Sequence, residues 1–226
     1  MEATSVQRLP RTRTVQRMPF LVDACRGKRV IHLGFWGSEG YRESAMETGQ
    51  WLHGRLAAVA TEIVGLDVNG EGVEFAKHLG YEAYVVDLMD PDAVNQLTIR
   101  GEVVVAGEII EHLDRQGPFL DAMHSLVEPE GRLILTTPNA YRLSSVLAAA
   151  MRREVINPDH VGFHSWYTLT NLVRRHGWQV VWSGTCLRPK SGTLRGRLAF
   201  GPERLASKVW PFVAWGLLVV CKQRPP

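Results

Sequence analysis

Glu108, Glu111 and His112 stand at positions i, i+3 and i+4. One helical turn would place all three on one face, where two carboxylates and an imidazole form a candidate site for Mg²⁺ or another divalent cation. The same trio could instead order its turn without an ion, and the metal-free version is the leading expectation. His160 and His164 lie in an irregular stretch with no apolar pattern, from which either could act as a base or as a fourth ligand, or simply sit in a solvated loop. A second group of residues suggests a nucleoside. Gly34-Phe35-Trp36-Gly37-Ser38-Glu39-Gly40 is a glycine-rich turn, and Asp67 and Asp87 are acids that each follow an apolar run. Glycines let a backbone approach a ligand closely, and a carboxylate at a strand tip can accept both hydroxyls of a ribose. No Gly-Lys-Ser/Thr follows the turn, so a phosphate loop is not supported.

These groups need a frame, and the spacing of apolar residues supplies one. Short apolar runs at 30–33, 63–67, 83–86, 103–106, 132–137 and 179–183 are expected strands. Helical periodicity over 51–60, 73–79, 91–97, 119–127 and 166–176 separates them, and a short helix at 20–25 precedes them. The run at 103–106 is apolar at every position, as in a strand covered on both faces, and the turn at 128–131 is expected to divide a helix from the next strand. Ser165 is an expected helix cap. A last strand at 214–221 is read as an antiparallel edge. This alternation predicts an α/β fold in which an open, mostly parallel sheet has helices on both faces and binds ligands beyond the carboxyl ends of its strands. The rhythm lapses over 139–165, where a covering helix at 143–151 and an irregular loop are expected to form a substrate cover.

Length and charge narrow the function classes. The chain has 226 residues, 45% of them hydrophobic and 22% charged, which suits one large domain and excludes a disordered polymer, a collagen or a long coiled coil. Residues 1–30 carry a net +5, residues 31–194 a net −7 and residues 195–226 a net +5. The first 18 residues are read as a basic flexible arm and 19–226 as the folded domain. Cys25, Cys186 and Cys221 show neither a paired framework nor a CxxC spacing. With no apolar run after Met1, the expectation is a cytoplasmic protein without a transmembrane segment. The apolar stretch 209–221 is read as a buried strand or at most a shallow membrane-surface contact.

On the residues just named, and most specifically on Ala106-Gly107-Glu108-Ile109-Ile110-Glu111-His112-Leu113 followed by Gly131 to Asn139, the chain resembles the class I S-adenosylmethionine-dependent methyltransferases. Within them it is most similar to the ubiquinone-biosynthesis O-methyltransferase group. The resemblance implies a seven-stranded Rossmann-like sheet that binds S-adenosyl-L-methionine. By the family's pattern Gly34 and Gly37 would face the methionine part, Asp67 the ribose, and Asp87 and Leu88 the adenine, with Val68 and Gly107 as further cofactor contacts; the Trp36 ring would either cover the methionine part or pack in the core. His112 or His160 would be the catalytic base. In that group the matching Glu-x-x-Glu-His residues bind a metal, and terminal RNA 2′-O-methyltransferases carry a comparable arrangement. One departure stands out: Phe35 and Trp36 interrupt the usual Gly-x-Gly-x-Gly, and residues 39–50 read as an insertion that closes over cofactor or substrate. The expected activity is methylation of a small-molecule acceptor, at oxygen in preference to nitrogen or carbon. The alternatives are a methyltransferase for RNA or another macromolecule, and a non-catalytic binder of the same cofactor. A nucleic-acid partner is not expected, because the cover lacks a Lys/Arg groove.

Overall fold

Val103 to Ala106 are apolar at each position, and the strand they form is buried on both faces. Val104 and Ala106 enter one hydrophobic core while Val103 and Val105 enter another, because successive side chains of a strand point to opposite faces. This strand is near the middle of the sheet. The computed structural model describes residues 6–37, 45–188 and 194–225. Its strands are β1 (Thr14–Gln16), β2 (Arg29–Leu33), β3 (Glu62–Asp67), β4 (Glu82–Val85), β5 (Gly101–Gly107), β6 (Val127–Pro138), β7 (Trp178–Leu187) and β8 (Gly216–Gln223). They form one sheet in the order β1-β7-β8-β6-β5-β2-β3-β4. All neighbours are parallel except β8, which runs antiparallel to both β6 and β7.

The helices are α1 (Arg17–Cys25), α2 (Leu52–Ala57), α3 (Gly70–His78), α4 (Pro91–Asn95), α5 (Gln116–Leu126), α6 (Leu143–Ala150), α7 (Trp166–Arg175) and α8 (Leu194–Val209). The larger core packs Phe119, Leu120 and Met123 of α5 and Leu169 and Val173 of α7 on Ile31, Leu33 and Val104. The opposite face buries Leu21 and Cys25 of α1 and Leu52 and Leu56 of α2 against Val30, Val103 and Ile134. Helix starts follow local chemistry. Asn69 Oδ1 accepts the Gly72 N–H at 2.8 Å at the start of α3. Ser165 and Thr168 form a reciprocal capping box at the start of α7.

The mostly parallel α/β sheet with helices on both faces stands, with four corrections to its details. The sheet has eight strands where seven were expected, because Thr14–Gln16 pairs with Thr185–Leu187. The basic arm is therefore not loose through residue 18: β1 and the first two residues of α1 lie within it, while 1–5 fall outside the described residues. The last strand is not an edge but fills the space between β6 and β7. The expected turn at 128–131 lies within β6, where the pairing with β5 shifts register between Gly101 and Val103. Helix α8 was not expected, since Gly196, Gly201 and Pro202 all disfavour a helix interior. Among the described residues no helix is long and apolar enough to cross a membrane.

Candidate active site beyond the carboxyl ends of the strands

The tips of β2 and β3 are tied to each other. Gly34 takes φ +58° and donates its N–H to the Leu66 carbonyl at 2.8 Å. A Cβ at Gly34 would come within 2.7 Å of Ile109 Cδ1, so glycine is needed here for close packing whether or not a ligand is bound. Gly37 also takes a positive φ, +68°. Asp67 is buried at the end of β3, and both of its oxygens hold backbone: Oδ2 accepts from Trp36 N at 2.9 Å and Oδ1 from Asn69 N at 2.9 Å. The Trp36 ring is buried among Trp51, Phe75 and the backbone of Gly72. Val68 is exposed beside this turn, and Asp87 is exposed after β4 with Oδ1 accepting the Met89 N–H at 2.9 Å. Leu88 packs into the larger core. Of the expected insertion 39–50, residues 39–44 lie outside the described residues.

At the tip of β5 the chain leaves the helical geometry that the i, i+3, i+4 spacing assumed. Glu108 has φ +60°, an uncommon conformation for a residue with a Cβ, and only Ile110–His112 form a short 3-10 turn. The three side chains therefore do not share one face. Glu108 turns toward β6 and the N-terminal helix: its N–H donates to the Thr136 carbonyl at 2.8 Å, and its Oε1 accepts from Thr136 Oγ1 at 2.8 Å. Arg17, the first residue of α1, donates Nε to the same Thr136 hydroxyl at 2.9 Å and lies 3.8 Å from Glu108 Oε1. The missing side chain of Gly107 makes room for this guanidinium, since a Cβ there would be 2.6 Å from Arg17 Nη2.

Glu111 is 1% exposed, with Oε2 accepting from Thr137 Oγ1 at 2.9 Å and Oε1 without a partner. Burial and the nearby Glu108 charge push its carboxyl up to about 8, so it is chiefly protonated at neutral pH. Its main-chain carbonyl accepts the N–H groups of Val161 and Gly162, both at 2.9 Å, and so fixes the irregular loop against the tip of β5. His160 is thereby brought to His112, with ring centroids 4.6 Å apart and planes at 88°. His112 Nδ1 lies 3.2 Å from the Asp159 carbonyl. The residues gathered here are Glu111, His112 and His160, with one donor atom from each inside a 4.8 Å group. Glu108 is not in that group. Burial, then His112 and Arg142, holds the His160 pKa below its usual value. His164 is buried outside that group with Nε2 unpartnered, and burial lowers its pKa too.

Two arginines join the site that residue type and spacing do not single out. Arg17 falls within the expected basic arm, although its place at the head of the apolar helix Met18 to Cys25 is a usable signal. Arg142 falls within the expected cover and is buried at the N-terminus of α6.

Comparison with known proteins places these residues in context. A family profile described as "Methyltransferase domain" matches residues 47–182, more than half of the chain. The mitochondrial ubiquinone biosynthesis O-methyltransferase of Rattus norvegicus is 28% identical over 120 residues, covering 50% of this chain and 34% of the rat protein. The counterpart from Schizosaccharomyces pombe is 22% identical over 191 residues, covering 76% and 65%. The chain thus spans about a third of the length of the rat and mouse relatives. Among solved structures, a SAM-dependent methyltransferase from Archaeoglobus fulgidus superposes with a TM-score of 0.56 at 16% identity, covering 92% of this chain and 91% of that one. Magnesium protoporphyrin IX methyltransferase from Synechocystis, with bound S-adenosylhomocysteine, gives 0.56 at 14% identity over 92% and 80%.

Proposed function

Because this chain belongs to the methyltransferase-domain family, we propose that it transfers the methyl group of S-adenosylmethionine to an oxygen atom of a small-molecule acceptor. The cofactor would lie across the tips of β2, β3 and β4. Gly34, Trp36, Gly37 and Gly107 would border its methionine part, Asp67 and Val68 its ribose, and Asp87 and Leu88 its adenine. Each Asp67 oxygen already accepts one backbone N–H and keeps a further lone pair for a ribose hydroxyl.

The observation that carries the oxygen reading is the pairing of His112 and His160, 4.6 Å apart, beside the unpartnered Glu111 oxygen. Transfer from a sulfonium requires a linear approach of the acceptor atom, and an oxygen acceptor must also lose a proton. His160 is neutral at pH 7 because its pKa is lowered, so its imidazole is free to take that proton. His112 would accept it next or steady the ring from the side. Glu111, held protonated, adds no negative charge that would repel the developing alkoxide.

Glu111, His112 and His160 also fit a divalent ion, which would take the place of the Glu111 proton and occupy its open oxygen. One carboxylate with two imidazoles suits an imidazole-preferring ion better than Mg²⁺. When bound, such an ion lowers the pKa of a hydroxyl on it. The proton route through His160 does not require it.

The test supplies S-adenosylmethionine labelled with ¹³C in the methyl group to the purified protein and small-molecule extracts. An oxygen-bound methyl resonance that disappears in a His160→Ala variant is the expected result. Label found on nitrogen or carbon would replace the oxygen assignment.

A further inference from the structure

Arg142 is a buried cation with no carboxylate in contact among the described residues. It lies beyond the carboxyl end of β6, at the start of α6, and only 6% of it is exposed. Its Nε donates to Ser145 Oγ at 2.8 Å and its Nη2 to the Val155 carbonyl. Both partners are neutral, and among the described residues no carboxylate comes within 4.0 Å of its guanidinium. The charges of two acids, Glu203 and Glu108, reach it only from beyond contact distance. Glu203 accepts from Ser144 Oγ at 3.0 Å, and Glu108 is held by Thr136 and Arg17.

Arg188, just beyond β7, has its guanidinium carbon 5.4 Å from the Trp215 ring centroid and is close enough for its charge to act on Arg142. Burial and this neighbour both lower the Arg142 pKa. The Arg142 charge also reaches His160, and its Nη2 holds the Val155 carbonyl of the same irregular loop that carries His160. Buried charges in proteins are normally paired, and a planar guanidinium is shaped for bidentate contact with an oxyanion.

We propose that Arg142 seats an oxyanion on the methyl acceptor, so that the substrate is a small molecule bearing a carboxylate or a phosphate. This rests on the methyltransferase reading and narrows its substrate class. The anion fixes the acceptor at one end and leaves its hydroxyl to approach His160 at the other.

The test uses the full chain saturated with S-adenosylhomocysteine, titrated in a calorimeter with benzoate, phenyl phosphate and the neutral analogue benzyl alcohol. At least one anion should bind saturably and at least about tenfold more tightly than benzyl alcohol. The tighter anion identifies the group as carboxylate or phosphate. Arg142→Gln should weaken that anion about tenfold or more while changing S-adenosylhomocysteine affinity less than about twofold. Should Arg142→Gln fail to fold, Arg142→Lys keeps the charge but loses the fork, and a clear partial loss of anion affinity is expected. The proposal is overturned if the parent binds S-adenosylhomocysteine but neither anion, or if the foldable variant binds the anion as the parent does. It is also overturned if Arg142→Gln weakens S-adenosylhomocysteine as much as the anion, which would assign the guanidinium to the cofactor. A parent that binds an anion through Arg142 but no S-adenosylhomocysteine would remove the methyltransferase reading and leave the anion seat standing.

Discussion

Asp67 Oδ2 accepts the backbone N–H of Trp36 at 2.9 Å, so the acid at the tip of β3 holds the glycine turn at the tip of β2. Its sequence position suggested a ligand for ribose; its geometry gives it the added task of shaping the turn that a ribose would meet. Asp67→Ala should therefore weaken S-adenosylmethionine binding by roughly 1.5–3 kcal/mol, the range for hydrogen bonds to a charged group. Calorimetry measures this, and the indole fluorescence of Trp36 should change in the ligand-free protein. Equal affinity in variant and parent would remove the cofactor from this end of the sheet.

Arg17 joins the N-terminal helix to the tip of β5. Replacing it by Met leaves Glu108 partly buried without its cation and removes the donor to the Thr136 hydroxyl, which keeps its own bond to Glu108. A loss on the order of 2 kcal/mol is expected, less than for a fully buried pair because Glu108 keeps some contact with water. A chain beginning at Pro19 loses β1 as well and should melt lower still. Urea unfolding reads both, and a truncated chain as stable as the parent would argue that the first segment is dispensable.

The Glu111, His112 and His160 group separates ion-dependent from ion-free catalysis. The expected outcome is that chelator treatment changes turnover little, whereas His160→Ala lowers it by about a hundredfold, as for removal of a general base. Glu111→Gln keeps the Thr137 hydrogen bond and matches the protonated acid in charge, so it should remain folded and active. Stoichiometric metal in the isolated protein, with activity lost on chelation and restored on replacement, would reverse this.

His32 and His53 are buried side by side, their Nδ1 atoms 3.2 Å apart. Burial holds the His53 pKa at about 4 against 6.5 for the free side chain, and burial with the His53 and Arg17 charges lowers His32 as well. The unfolded chain binds more protons than the folded one between those values. The stability is therefore fully present above pH 6.5 and is lost as pH falls toward 4, by about 3 kcal/mol for His53 alone. His53→Gln should flatten the slope of unfolding free energy against pH by about one proton over that window. An unchanged slope would show that another group carries the acid sensitivity.

The sheet's middle was legible because unbroken apolar runs such as Val103 to Ala106 have few alternatives to a doubly covered strand. Three-residue β1 was not, since Thr14-Val15-Gln16 is too short for a period and sits among arginines. Helix α8 was hidden by its interior Gly and Pro, where tertiary packing outweighs propensity. At the site, residue types announced Glu111, His112 and His160, but their assembly depends on features that spacing does not carry. One is the positive φ of Glu108, which breaks the expected face. The other is the Glu111 carbonyl, which draws in the loop of His160 through two hydrogen bonds from residues 50 and 51 positions later.

The place of β8 between β6 and β7 sets an order of events during synthesis. Thr14 meets Thr185 across 171 positions of sequence, and β7 itself has no neighbour toward β6 until Gly216–Gln223 has emerged. At roughly 5–20 residues per second, β1 waits on the order of ten seconds or more on the ribosome for its partner. Until then β6 presents an unpaired apolar edge, a surface prone to join another chain. The β2 to β6 half can condense early, but the acceptor end becomes whole only when the last strand slides into the gap, so a chain stopped short of residue 216 should aggregate rather than persist as a smaller enzyme.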